Sequence, residues 1–253
     1  MHFDIQKANM WKRISAALFD LILLSVMVAF LAMVLSSLLG FDTYNSALDD
    51  CYKKYETEYG ISFNITLDDY NAMTQEQIDL YDQAYQAFSV DADAIYNFNV
   101  IVRLTITIAS ISILLGYLGL EFAVPLFLKE GRTLGKKIFG IGLMRSYGVR
   151  VTPVALFIRT FLGKFAIETM IPVLIILMIF WGTIGIVGPL VIAGIALLQI
   201  VLLAVSRNNS VIHDRLSDTV VVDMESQMIF DSEEELIAYT KRLHAEKASK
   251  QVY

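Results

Sequence analysis

Cysteine is almost missing from the 253 residues. The single Cys51 excludes an intrachain disulfide and any metal centre built on cysteine pairs. Histidine is scarce as well: His2, His213 and His244 stand in three separate contexts, and neither an H-E-x-x-H helix nor a G-x-S-x-G elbow is present. The chain is therefore expected to be no enzyme, with no cofactor and no bound metal. Charge is absent over long stretches. Residues 16–39 carry only Asp20, residues 101–128 only Arg103 and Glu121, and residues 166–205 only Glu168.

What fills the chain instead is apolar, 56% of it, against about 45–50% in ordinary soluble domains. A helix needs about 20 such residues to cross the hydrocarbon core. The first two stretches each fit one span. The third, 40 residues long, fits two, with "WGTIGIVGP" (Gly182, Gly185, Gly188, Pro189) as the turn between them. The expected fold is an all-α membrane bundle of four transmembrane helices. Residues 16–39 are too long for the core of a cleaved signal and read as a retained helix.

Charge orients these spans. Residues 129–164 hold eight basic side chains against one acid, Glu130, whereas residues 41–99 hold twelve acids against Lys53 and Lys54. Basic flanks stay inside, and Lys7, Lys12 and Arg13 place the N-terminus there too. The expectation is a multi-pass protein of the cell (inner) membrane with both termini cytoplasmic. It divides into an N-terminal segment with the first span (1–40), an acidic external insert (41–99), the second span (100–128), a basic cytoplasmic loop (129–165), the third and fourth spans (166–205) and a cytoplasmic tail (206–253).

Within the insert, "TQEQIDLYDQAYQAFSVDADAIYNF" has helix formers and spaced Ile78, Tyr81, Tyr85 and Phe88, which predicts a helical hairpin. In the loop, "GRTLGKK" lacks the full phosphate-loop pattern and reads as a basic turn on anionic lipid. "IGLMRSYGVRVT" reads as a short hairpin. Thr152 and Pro153 open a helix expected to lie in the interface beneath the bundle. In the tail, "TVVV" has strand character and can pair near residues 138–145, a small cytoplasmic β element. Ser232 and Glu235 have capping-box spacing at the start of a last helix.

Three stretches together resemble the RDD family: "KRISAALFDLILL", "GRTLGKKIFGIGLMRSYGVRVTPVALFIR" and "SRNNSVIHDRLSDTVVV". The arginine and two aspartates for which that family is named fall on Arg13, Asp20 and Asp214. The resemblance implies a polytopic membrane protein connected with transport, some relatives being linked to sodium/proton exchange. The 41–99 insert is longer, and the span count higher, than the small core by which the family is described.

Arg13 and Asp20 are seven residues apart, so on a helix they share a face about 10 Å apart along the axis. Arg13 can reach the headgroups, but the short Asp20 side chain cannot. A carboxylate at that depth needs a partner, a proton or a cation, because burying it unpaired costs about 2.5–3.5 kcal/mol. A fixed ion pair with Arg159 satisfies it; so does a titrating site. Glu121 and Glu168 belong to the same inner half, and with Asp20 they are the ion or proton site candidates, expected to form one polar cluster near Arg159. His213 and Asp214 read as a clamp that fastens the tail, made pH-sensitive by the histidine. Two functions fit: a secondary transporter or cation/proton exchange component, or a membrane scaffold or accessory protein whose external insert binds a partner. The expected partners are the lipid bilayer, a small cation or proton, and further copies of a chain too narrow to act alone. No nucleic-acid partner is expected.

Overall fold

The computed structural model describes residues 5–128, 130–206 and 208–250. His2, Lys129 of the basic loop and Arg207 of the closing motif lie outside the described residues. In chain order come α1 (Met10–Leu38), α2 (Phe41–Tyr59), α3 (Leu67–Asn71), α4 (Gln75–Ser89), α5 (Ala92–Leu128) and α6 (Leu134–Ile138). Strand β1 (Ile141–Arg145), α7 (Pro153–Phe180), α8 (Val187–Val205), α9 (Ile212–Leu216), β2 (Thr219–Asp223) and α10 (Glu233–Lys250) follow. Helices α1, α5, α7 and α8 are long and apolar enough to cross a membrane. Their most apolar windows are only 6–17% buried by protein. Side chains such as Leu18, Phe30, Met33 and Leu190 therefore face outward, where a soluble protein would hide them. The molecule is a mostly helical multi-pass membrane protein with a small two-stranded sheet.

The chain divides into two compact units. One, residues 30–112, contains the insert. The stretch 74–98 supplies one arm, α4; its partner is α2, which precedes that stretch, and the two are held by aromatic packing: Tyr52 stacks on Phe88 at 4.4 Å between centroids, and Phe63 meets Tyr52, Tyr81 and Phe88. Capping boxes at Thr66/Asp69 and Thr74/Gln77 start α3 and α4. Asp91 joins the hairpin to α5. One carboxylate oxygen accepts from the backbone N–H groups of Asp93 (2.9 Å) and Ala94 (3.0 Å); the other accepts from Tyr55 Oη (2.8 Å) and Lys54 Nζ (3.2 Å). The Ala94 N–H, Tyr55 and Lys54 together hold the Asp91 carboxyl well below the usual carboxylate range. A depressed folded-state pKa means that this stabilisation is complete above about pH 4 and is lost as the pH falls further. Acid titration followed by tyrosine near-UV dichroism should show the insert loosening below that pH in the wild type. Asp91→Asn should begin looser and lose the acid step, and an unchanged acid step in that variant would refute the lock.

The other unit, residues 1–29 and 113–253, contains the sheet. β1 and β2 pair antiparallel, with Leu143 opposite Val221 and Ile141 opposite Asp223. Both faces are covered, which is why both strands read as continuous apolar runs. Ile141, Leu143 and Val221 pack with Ala8, Ala16 and Leu156, while Met144, Val220 and Val222 pack with Ile5, Met224 and Ile229. The free edge of β2 is taken by the N-terminal segment: Ala8 N–H donates to Val221 O (3.2 Å) and Asp223 N–H to Gln6 O (3.1 Å). Covering that edge removes a site for unwanted strand pairing.

Two expectations are corrected here. The helix opened by Thr152, whose Oγ1 accepts from Ala155 N–H at 3.2 Å, is not a separate interfacial element but runs unbroken into the third span as α7. It runs on through Gly163, which packs against α9, and through Pro172, which follows the π-type segment, and it ends at Phe180. Helix α5 begins at Ala92, so the last residues of the 41–99 insert run into the second span as one helix. At α10, Ser232 Oγ accepts from Glu235 N–H (3.2 Å), but the Glu235 side chain bonds Asp231 N–H (2.9 Å) instead of closing the box on Ser232.

Candidate functional site

All seven residues singled out from the sequence lie in the unit that holds the sheet, around the ends of α1, α5 and α7. Two long segments with π-type hydrogen bonding, Tyr117–Ala123 in α5 and Ile158–Met170 in α7, bring α5 and α7 together there. A π register widens a helix locally and redirects its side chains, and such segments recur at functional sites. Lys164 Nζ donates to Glu121 Oε2 at 2.5 Å, Thr160 Oγ1 to the Glu121 carbonyl at 3.1 Å, and Tyr117 Oη meets Thr169 Oγ1 at 2.8 Å. Glu121 is buried, at 6% exposure.

The second knot is the tail clamp. Asp214, on α9, is 1% exposed and Arg159, on α7, is 3% exposed. Arg159 Nη1 donates to Asp214 Oδ1 and, at 2.8 Å, to Thr219 Oγ1 on β2. Asp214 Oδ2 accepts from Arg13 Nη2 at 3.5 Å and from Val211 N–H at 3.3 Å. Burial pushes the Asp214 carboxyl up, but Arg159, His213 and Arg13 outweigh it and hold it well below the ordinary range. Glu168, also on α7, accepts from His213 N–H (3.1 Å) and meets His213 Nδ1 at 2.7 Å, which favours the Nδ1–H tautomer. The other ring nitrogen lies 3.7 Å from Asp214 Oδ1. Gly163 makes this approach possible: a Cβ there would sit 2.4 Å from His213 Cβ and 2.7 Å from His213 Cα.

Burial pushes the His213 imidazole down, Arg159 adds to that, and Asp214 and Glu168 only partly oppose it. A histidine kept neutral in the fold but free to protonate when unfolded makes stability rise with pH. The contribution is complete above about pH 6.5 and is lost as the pH falls toward the lower folded value. Melting temperature in detergent should thus fall on mild acidification, and His213→Gln should flatten that slope. An equal slope in the variant would assign the acid sensitivity to another group.

Asp20 corrects the sequence reading most. It does not pair with Arg159, which Asp214 has taken. Instead its two oxygens accept from Thr133 Oγ1 and, at 2.8 Å, from Gly135 N–H, so the carboxylate clamps the start of α6 onto α1. Nor do the three acids bind a common partner: Asp20 holds α6, Glu121 holds Lys164, and Glu168 holds His213. The basic turn is also not wholly a surface feature. Lys137 is exposed, but Lys136 is buried at 7% exposure and lies in the field of Glu121, Asp20, Lys164 and Arg159. Nothing in "LGKKI" distinguishes the inward lysine from its neighbour. Among the described residues no group of three or more metal-ligating side chains converges.

The RDD family model matches residues 7–218, from the segment that covers β2 through the tail clamp. The chain belongs to the RDD family. Comparison with curated proteins and with solved structures gave no match. In this RDD protein the arginine and the later aspartate meet directly, Arg13 with Asp214, while the earlier one, Asp20, about two turns along α1 from Arg13, binds the start of α6 instead.

Proposed function

We propose that this RDD protein is a cation/proton exchange component of the cell membrane, with both termini and the sheet on the cytoplasmic side. One observation carries the reading. Where α1, α5 and α7 meet α6 and α9, the acids Asp20, Glu121, Glu168 and Asp214 are gathered with Arg13, Lys136, Arg159 and Lys164. Asp20, Glu121, Arg159, Lys164 and Glu168 lie within the membrane-crossing helices, where ionisable groups are expensive and characteristically mark ion and proton pathways. An open cavity of about 430 Å³, lined by Ser146, Ser206, Ser210, Asp218 and Thr219, reaches Asp214 and gives that end of the network a route to solvent.

Purified protein in liposomes, with an imposed pH gradient and sodium, potassium or lithium chloride in turn, tests this reading. Asp20→Asn is the informative variant, because the amide oxygen can still accept from Gly135 N–H and keep α6 in place. The expected result is cation-dependent proton flux in the wild type, lost in Asp20→Asn at unchanged melting temperature. Absence of flux with every cation would remove the exchange reading. It would favour the second one, an accessory protein bound through the insert, whose Tyr85, Tyr96 and Phe98 stand 46–60% exposed.

A further inference from the structure

The unit that carries the insert holds a cleft of its own. It measures about 520 Å³ and lies between α1 and α5, wholly within residues 30–112. Helix spacing builds its walls. Ala32, Met33, Ser36 and Ser37 share one face of α1, and Thr105, Ile108 and Ala109 share one face of α5. Gly40, at φ 68°, ends α1 and turns the chain, so that α2 opens with Phe41 and Asp42 at the same cleft. Most of the lining is apolar, and Thr105 Oγ1 is already spent on the Ile101 carbonyl at 2.8 Å.

Asp42 is the one charge in this lining, and the chain gives it no counter-ion. The insert's two lysines are engaged elsewhere, Lys53 with Asp50 at 3.9 Å and Lys54 with Asp91 at 3.2 Å. Arg103 stands two residues before Thr105, about 200° round the helix, and leaves α5 on another face. Two features then fix what the cleft can take. Met33, at its edge, is 73% exposed on a helix that lipid surrounds, so an occupant arrives through the bilayer and needs an apolar body. The polar end of that occupant meets Asp42 and an insert of twelve acids against two lysines, a field that gathers cations and repels anions. A phospholipid fails the second condition, because its phosphate would stand beside Asp42.

We propose that this cleft binds a lipophilic monovalent cation, an organic ammonium or phosphonium, with its apolar body against Met33, Ile108 and Ala109 and its charge toward Asp42. Carbon shields or spreads the charge of such a cation, so it gives up little hydration on entering, and Asp42 supplies the opposite charge that an apolar wall lacks. The site belongs to a different unit from the Arg159–Asp214 network, and it stands whether or not that network exchanges ions.

The test uses the full chain in phosphatidylcholine nanodiscs, with empty nanodiscs as the partition background. The probes are tetraphenylphosphonium and tetraphenylborate, which share size and shape and differ in the sign of charge. Equilibrium dialysis should show saturable binding of tetraphenylphosphonium and mere partition of tetraphenylborate. Asp42→Asn should weaken tetraphenylphosphonium about fivefold, the loss of one partly solvated opposite charge. Asp68→Asn removes a charge from the insert without touching the cleft and should change affinity less than about twofold. Ala109→Phe fills the cleft from α5 and should abolish saturable binding. Binding that survives unchanged in Asp42→Asn or in Ala109→Phe, or equal saturable binding of both probes, would overturn the assignment. So would a wild type that shows no saturable binding, which would leave the cleft to an ordinary acyl chain. If Ala109→Phe does not fold, the pair of probes and Asp42→Asn still decide.

Discussion

Arg159→Met is expected to lower the stability of the protein by about 3–5 kcal/mol, the range for breaking a buried ion pair from one side. The reason is the partner left behind. Asp214 is 1% exposed, and without Arg159 it keeps the longer contact to Arg13 at 3.5 Å, the Val211 N–H at 3.3 Å and the neutral His213 ring at 3.7 Å. Thr219 loses a donor in the same change, so the damage spreads from α7 to the tail of the sheet. Methionine fills most of the arginine stem's volume, so the effect reports charge and hydrogen bonding more than a cavity. Pairing the change with Asp214→Asn removes the stranded charge, and the double variant should be more stable than Arg159→Met alone. Thermal or denaturant unfolding in detergent measures both. A loss below about 1 kcal/mol, or a double variant no better than the single, would mean that this pair does not fasten the tail.

Gly135→Ala is the second large effect, and it acts through backbone contact. A Cβ at Gly135 would stand 2.4 Å from the Ala16 carbonyl oxygen and 2.9 Å from Asp20 Oδ1. The first contact is α1 backbone, which cannot rotate away, so α6 must lift off α1. Overpacking of this kind costs about 1–3 kcal/mol, and here it also breaks the bonds from Thr133 and Gly135 to Asp20. Gly194→Ala is the control: it sits in α8 with nothing within 4 Å of its would-be Cβ. Alanine there should be neutral or slightly stabilising, because it is the better helix former. Melting curves of the two variants side by side decide the matter. If Gly135→Ala melts with Gly194→Ala, the close approach of α6 to α1 is not a constraint on the fold.

These contacts show how unevenly the molecule could be read from its residues. The four spans were legible because crossing a bilayer needs little more than length and a near absence of charge, both local properties. The strands were legible for a related reason: "IGLMR" and "TVVVD" are short, apolar and β-branched enough to pair. The seven candidate residues were found because a charge within or beside a span is conspicuous in any sequence. Their partners were not. Arg159 is one partner the sequence offers Asp20, since both lie near one membrane surface, yet Asp214 takes it, because Gly163 lets α9 settle against α7. Lys136 went unnoticed because adjacent lysines look alike on paper, and only the clamp from Asp20 decides which one points inward. The N-terminal cover on β2 was missed for a similar reason, since residues 5–8 carry no strand pattern of their own.

Sequence alone therefore determined what must leave water and what must stay near it: four apolar helices, an acidic insert, a basic loop and a handful of costly charges. Tertiary structure alone decided which of those charges answers which. Hydrophobic burial depends on how much apolar surface a segment carries and can be summed along the chain. An ion pair or a cap depends on ångström-scale approach between segments up to about two hundred residues apart, such as Arg13 and Asp214, and no local pattern encodes that distance.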